Sequence, residues 1–445
     1  MVKSRMWLSV YAVVLFFTVL SGDALRYGLT WYGWGAVVAV LFAIGLVIVI
    51  RERRQWRFIG LPLPLLVFVA LTISSIAWSY YQGWTVVGCA ATFVTVVCAF
   101  ALSLSFSLPE LIRLFGQALR IILLASILFE LVVSIFVRHP FTPWWTHYST
   151  IHPADYWSRD VLFKGDRIQG IMGNSDLLGF IALLGVLVFA VEFASRSIHR
   201  AWSVFFLVVA VANIALTRSA TVFVAAGVVA VAAIILILIR HTATPRARRF
   251  AGILSLLVVL LGAGGVVLLR APILRVLGKT STFTGRTQIW DAVIALARQR
   301  PIVGWGWLGY WPPHVAPFNE KAFRIGGIQY LQAHDAWLDV WVQLGLIGVV
   351  VLAALVISAL VRAWTLAIDR PQLGAGAAGR YDPATLLPVL VLIALIAQSI
   401  AESRLLIEYG LLLLALIAIK TKRPDPDMVR GAASTSESDP VAASS

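Results

Sequence analysis

The chain has 445 residues, 60% of them hydrophobic and only 13% charged, with a mean hydropathy of +0.89. An ordinary soluble domain carries about 25% charge, so a soluble globular protein is excluded. The short alternating segments of a membrane barrel do not occur either. The net charge of +15 has a membrane explanation, because basic residues flank helices on the cytoplasmic side. No nucleic-acid partner is therefore expected. Cys89 and Cys98 fall in one apolar run and read as small buried residues, not as a disulfide or metal pair.

Apolar runs of roughly 20 residues recur along the chain, each long enough to cross a bilayer. The first, Met6–Ser21, follows Lys3 and Arg5. It has the look of a signal peptide, but the chain beyond it is also apolar, so an uncleaved helix is expected. Further spans are expected at 29–50, 58–78, 84–106 and 121–137, the last after a basic link with Arg113 and Arg120. A polar loop rich in Trp, His and Asp follows at 138–172. Spans are then expected at 176–194, 202–216, 220–239 and 251–269, with only Thr217-Arg218-Ser219 between the seventh and eighth. A large loop runs over 270–333, and the last spans fall at 338–362, 384–401 and 405–419. Glu402-Ser403-Arg404 separates the last two, and the Ser/Ala-rich tail reads as disordered.

The expected fold is thus an all-α polytopic membrane protein. It has about twelve transmembrane helices and a large outer-face loop containing amphipathic helices. Its divisions are helices 1–5 over 1–137, an outer loop over 138–175 and helices 6–9 over 176–269. The large loop takes 270–337, helices 10–12 take 338–420, and a cytoplasmic tail takes 421–445. With the N-terminus inside, the short outer links hold only Arg26, Arg218 and Arg404. Short links decide orientation, so both termini are expected in the cytoplasm. The two long loops and the Arg218 turn then share the outer face.

Chemistry is expected in the large loop. Thr284-Gly285 opens a helix that Pro301 must end. Ile289, Trp290, Val293, Ile294 and Ala297 give it one apolar face, suited to lying along the membrane surface. Arg286 would sit in its first turn, where the helix dipole disfavours a cation. A bound anion would remove that conflict, and Thr284 and Thr287 add hydroxyl donors. A diphosphate site and a solvated or headgroup-bound arginine are both open. His334 stands where the loop re-enters the membrane, on one helical face with Trp337, Leu338 and Trp341. An imidazole there could take a proton from a sugar hydroxyl or simply anchor the helix end. Asp335 and Asp339 are the candidates to orient it, although Asp335 would point elsewhere on a helix. Arg218, in a three-residue turn close to hydrocarbon, is expensive unless it has a role or partner. Glu402 and Arg404 could pair with each other or with Arg218. Paired His spacing and close carboxylate pairs are missing from the outer loops, so no metal and no cofactor are expected.

Three stretches resemble the signature of the O-antigen ligase and polymerase superfamily of bacterial membrane glycosyltransferases, which includes exopolysaccharide polymerisation proteins. They are Gly285-Arg286-Thr287-Gln288-Ile289-Trp290, Pro301-Ile302-Val303-Gly304-Trp305-Gly306, and His334-Asp335 leading to Leu344-Gly345-Leu346-Ile347-Gly348. Weaker echoes are Gly173-Asn174, Leu216-Thr217-Arg218-Ser219 and Ala401-Glu402-Ser403. Two positions depart from the pattern. The short turn reads Arg218-Ser219 where the family often has Ser-Arg, and Asp335 stands where the family has Asn.

The resemblance implies a glycosyltransferase in the bacterial cytoplasmic membrane. It would move a glycan from an undecaprenyl-diphosphate-linked donor to a hydroxyl of a glycan or lipid-glycan acceptor on the outer face. The process would be assembly of an O-antigen or exopolysaccharide, as ligase or as polymerase, without metal. His334 and Arg286 carry over as catalytic residues, and Arg286, Arg218, Thr287 and Asp335 as substrate-binding ones. Trp305, Trp307, Tyr310 and Trp311 could stack on sugars or anchor the loop. A transporter or flippase of lipid-linked oligosaccharide and a non-catalytic scaffold are the rival readings.

Overall fold

The computed structural model describes residues 2–53, 60–146, 151–240, 286–320, 323–325, 328–368 and 382–422, with isolated positions between 246 and 255. The expected ninth span, most of the loop before Arg286 and the tail beyond Lys422 lie outside the described residues.

Helices dominate. They are α1 Val2–Leu20, α2 Gly22–Arg51, α3 Leu63–Ser74, α4 Gln82–Ser105, α5 Leu108–Val132 and α6 Ser175–Ser195. Then come α7 Arg200–Thr217, α8 Ala220–Arg240, α9 Arg286–Gln299, α10 Ala336–Ile368, α11 Leu387–Ser399 and α12 Glu408–Lys420. A two-residue hairpin pairs β1 Arg324–Ile325 with β2 Ile328–Gln329. Among the described residues, seven helices are long and apolar enough to cross a membrane. These are α2, α4, α5 with its π-helical extension to Val137, α6, α7, α8 and α10. Lipid does not drive apolar helices together as water does, so close packing and internal polar contacts must hold the bundle. At its centre α6 packs against α5, α7, α8 and α11, and α12 packs against α1, α4 and α10.

The helix expected at 121–137 instead begins at Leu108, so Arg113 and Arg120 are helical. Ser107 and Glu110 form a capping box and Pro109 sits in the first turn, a start signal that outweighs the charges. Arg120 then pairs with Glu192 of α6 and lies 5.0 Å from the Phe189 ring.

Helices alternate in direction, so their ends gather in two layers. At the far end Arg5 meets Glu110, and Arg240 donates to the Ala367 carbonyl (2.8 Å) and to Thr385 (2.6 Å). At the opposite end, here called the site end, stand the segment 138–172, the segment 300–335, the α7–α8 turn and the α11–α12 link.

Two helices are broken near the site end. In α2, Thr30 takes φ 67°, ψ 174°, and carbonyls one turn earlier lose their helical partners. The first loop supplies replacements, with Trp144 donating to Gly28 (3.2 Å) and Trp145 to Arg26 (3.1 Å). Glu130, fully buried on α5, pins the same loop by accepting from the amides of Gln169 (2.9 Å) and Gly170 (2.7 Å). The second break, in α10, belongs to the site.

Helix α9 runs over Arg286–Gln299 as its start and stop signals require. Its apolar face is covered by protein. Ile289, Val293, Leu296 and Ala297 are buried in a satellite core with Trp311, Phe318, Phe323 and Val342. An amphipathic face needs an apolar partner, and here the loop's own aromatics provide it before lipid does.

Candidate functional site

The frame is the break in α10. Gly345 adopts φ 68°, ψ −169°, a conformation essentially confined to glycine. The break frees backbone groups in an apolar zone, where each must find a partner. The turn Pro301–Gly306 satisfies them. Leu346 N–H donates to Pro301 O (2.8 Å) and Ile347 N–H to Ile302 O (3.3 Å). In return Trp305 N–H donates to Val342 O (3.0 Å) and Gly306 N–H to Gln343 O (2.9 Å). The backbones approach so closely that a Cβ at Gly345 would sit 2.0 Å from Ile302 O. Gln343 then reaches along the loop, its side-chain oxygen accepting from Leu308 N–H at 2.7 Å. The loop is thereby fixed to the helix between two and three turns beyond His334.

His334 lies just before α10, in a left-handed conformation at φ 52°. It is therefore not on a helical face with Trp337 and Trp341, as the sequence spacing suggested. Asp335 caps the helix instead, its Oδ1 accepting from the N–H groups of Trp337 (2.9 Å) and Leu338 (3.0 Å). Burial raises the Asp335 carboxyl above its usual range, and the two helix amides oppose that. Asp339 does not orient the imidazole either. It accepts from Ala333 N–H (3.0 Å) and from Ser403, which fixes the chain on either side of the histidine.

The partner of the imidazole is Glu402. His334 Nδ1 lies 3.0 Å from Glu402 Oε2, and Gln332 donates to the same oxygen at 3.0 Å. With a carboxylate accepting at Nδ1, a neutral imidazole holds its hydrogen there and its lone pair on Nε2. The His334 side chain is 23% exposed and Glu402 only 6%. The Tyr330 ring stands edge-on to the imidazole at 5.6 Å. A buried carboxylate orienting a partly open imidazole has the geometry of a general base with its positioning group.

Helix α9 comes to the same place. Trp290 donates to the Ala333 carbonyl at 3.0 Å. Trp290 is one turn beyond Arg286, so the N-terminus of α9 opens beside the segment that carries Ala333 and His334. Arg286 and Thr287 hold the first helical positions, and their side chains lie outside the described residues, as do Thr284 and Gly285.

Arg218 closes α7 at φ 47°, is exposed, and has its guanidinium beside Gly165 of the first loop. Among the described residues it makes no ion pair or hydrogen bond. Its neighbour Arg167 is committed, to Asp176 (2.6 Å) and to the Thr217 carbonyl (3.1 Å).

Glu402 and Arg404 pair neither with each other nor with Arg218. Arg404 belongs to a buried network that also holds Asp23, Arg26, Glu408 and Tyr310. It contacts Glu408 and Asp23 (3.2 Å) and donates to the Tyr310 oxygen at 2.6 Å. Arg26 meets Asp23 and Glu408 (2.7 Å) and lies 4.9 Å from the Trp34 ring. Two cations face two carboxylates, so the network is neutral and offers no net charge to a ligand. Burial holds the Tyr310 phenol protonated, well above its ordinary range.

The four aromatic candidates in the loop separate. Trp307 and Trp311 are fully buried and Tyr310 is in the ion network, which leaves Trp305 partly open. The residue that sequence reasoning underrated is Glu402. Its only signal was a charge in a short interhelical link, which the Ala401-Glu402-Ser403 echo shares. Among the described residues, no three His, Cys, Asp or Glu side chains cluster as metal ligands would.

Residues 204–353 match a protein family described as O-Antigen ligase. The matched stretch includes Arg218, Arg286, Thr287, His334 and Asp335 and ends before Glu402. The chain is also similar to the exopolysaccharide production protein ExoQ of Rhizobium meliloti (strain 1021), with 36% identity over 107 residues. That alignment covers 23% of this chain and 23% of the relative, so the chain spans about a quarter of the curated protein it matches.

Proposed function

We propose that this chain, of the O-antigen ligase and polymerase superfamily, transfers a glycan from an undecaprenyl-diphosphate-linked donor to an acceptor hydroxyl. The observation that carries the reading is the Glu402–His334 pair at 3.0 Å beside the N-terminus of α9. In the proposed reaction Nε2 of His334 takes the acceptor's hydroxyl proton. The acceptor oxygen bonds to the anomeric carbon as the bond from that carbon to the diphosphate oxygen breaks. Undecaprenyl diphosphate leaves with the electron pair.

The leaving group gains negative charge, and a fixed guanidinium near low-dielectric walls stabilises it. Arg286 fills that role, helped by the free N–H groups and dipole of α9 and by the Thr287 hydroxyl. Arg218, exposed and without a partner among the described residues, is the second cation. Asp335 contributes as the cap that fixes the His334 backbone. An apolar cavity of about 160 Å³, lined by Leu15, Leu41 and Leu411 and reaching Tyr310, gives a lipid chain a wall to lie against. In this reading the chain crosses a bacterial cytoplasmic membrane twelve times. Both termini are cytoplasmic, and the loops at 138–175 and 270–337 lie outside.

Reconstitution with a purified lipid-linked oligosaccharide tests the proposal. Release of undecaprenyl diphosphate that requires an added acceptor is the expected result. Movement of intact donor across the bilayer, without release, would mean a flippase.

A further inference from the structure

Along one flank of α9 lies a cavity of about 340 Å³. Its walls include the Trp305 and Tyr80 rings and Phe323, its floor Ala295, and its rim Gln299 and Glu320. The volume falls in the range of small-molecule sites, roughly 300–1,000 Å³. The aromatic wall is rigid. Trp305 donates its ring N–H to the Leu296 carbonyl (3.0 Å), Arg300 lies 4.7 Å from its ring centroid, and Tyr80 meets it edge-on at 5.6 Å. The rim is polar and unspent. The side chains of Gln299 and Glu320 are exposed and make no hydrogen bond among the described residues.

We infer that this cavity is a saccharide subsite, holding sugar residues of the glycan chain remote from the bond that is made. A sugar ring has an apolar C–H face, which suits the negative face of an aromatic ring. It also has hydroxyls that both donate and accept, which suits an amide beside a carboxylate. Lipid headgroups fit less well, because the rim carboxylate repels anionic ones and the indole N–H is turned inward. Placement supports the same ligand. The cavity follows α9 from Ala292 to Gln299, while Trp290 of that helix donates to the Ala333 carbonyl beside His334. At roughly 1.5 Å and 100° per residue, the cavity begins about 3 Å along the helix from Trp290, on the face opposite that side chain. Phe323 also accepts from Tyr330 N–H (3.0 Å), and the Tyr330 ring touches His334. A glycan reacting at His334 would therefore reach the cavity by way of Tyr330 and Phe323.

That the ligand is a glycan rests on the transfer reading above, so the test separates the two. The probes are one-repeat and three-repeat oligosaccharides released from the purified lipid-linked donor. They are offered to the full chain in lipid nanodiscs and followed by saturation-transfer NMR. The three-repeat fragment should bind, and Ala295→Phe, which fills the cavity from an exposed position, should abolish that signal while His334→Ala keeps it. Gln299→Ala with Glu320→Gln is the second variant and leaves the aromatic packing intact. In transfer assays Ala295→Phe should raise KM for a three-repeat acceptor about tenfold, which corresponds to about 1.4 kcal/mol. The kcat and the one-repeat acceptor should change little. Equal fragment binding by wild type and Ala295→Phe would overturn the subsite. Binding that depends on Ala295, in a protein that transfers nothing, would overturn the transfer reading and leave the subsite standing.

Discussion

Replacing Glu402 with Gln tests the site most directly. The substitution keeps the shape and removes the charge that Nδ1 faces at 3.0 Å. A hydrogen bond to a charged group contributes about 1.5–3 kcal/mol. If that contribution is felt when the imidazole becomes cationic, the loss converts to about 10- to 150-fold in rate. Removing the base itself by His334→Ala should cost more, about 10²–10⁴-fold. The assay is acceptor-dependent release of undecaprenyl diphosphate from a defined lipid-linked oligosaccharide. Protein abundance and monodispersity are checked by fluorescence-detected gel filtration.

The double variant sharpens the test. Glu402 is proposed to act only through the imidazole, so Glu402→Gln should cost little once His334 is alanine. Gln332→Ala serves as a control, because Gln332 shares the Glu402 oxygen without touching the acceptor in this scheme. Wild-type turnover by Glu402→Gln would refute the reasoning. So would a double variant slower than His334→Ala by the full single-mutant factor, which would give Glu402 a separate task.

Other predictions follow from the same contacts. Arg286→Lys should lower transfer about 100-fold or more at unchanged membrane abundance, because an ammonium cannot reproduce bidentate phosphate contacts; near-normal initial rates would remove Arg286 from the site. Asp335→Asn should stay close to wild type in transfer, since Asn and Asp cap helices about equally, whereas Asp335→Ala should cost about 1 kcal/mol in thermal stability and loosen His334. Gly345→Ala should lower the melting temperature sharply, the backbone conformation alone costing roughly 1–3 kcal/mol before the clash with Ile302. Asp23→Asn leaves Arg26 and Arg404 short of a buried partner and should cost about 3–5 kcal/mol in detergent unfolding.

Sequence patterns made the helical character, the extent of α9 and the place of His334 legible, because hydropathy and the Pro301 stop are local signals. They failed wherever a partner came from far along the chain. His334 and Glu402 are 68 residues apart, and Asp23 and Arg404 are 381 apart. Spacing along one helix cannot show such pairs. The left-handed turn at His334 also breaks the periodicity that seemed to place it beside Trp337. Asp335 is instructive in another way. Its carboxylate accepts two helix amides, a capping role that an Asn side chain fills about equally well.

A bilayer-spanning helix must keep its backbone bonded to itself, whereas a reactive group near the surface needs irregular chain. The two broken helices reconcile those demands. The first loop satisfies the break at Thr30 and the second that at Gly345, so each loop is held by the carbonyls and amides its own helix releases. Among the described residues, left-handed, non-glycine residues gather at the same end, at Thr30, Arg138, Asp160, Arg218, His334 and Glu408, with Arg196 alone at the other. Such conformations persist only where surrounding contacts overdetermine them. His334 has those contacts from three directions: the Asp335 cap behind it, Asp339 holding Ala333 before it, and Glu402 on its ring. The same contacts leave the far nitrogen of the ring unspent, which is what a base for the acceptor hydroxyl requires.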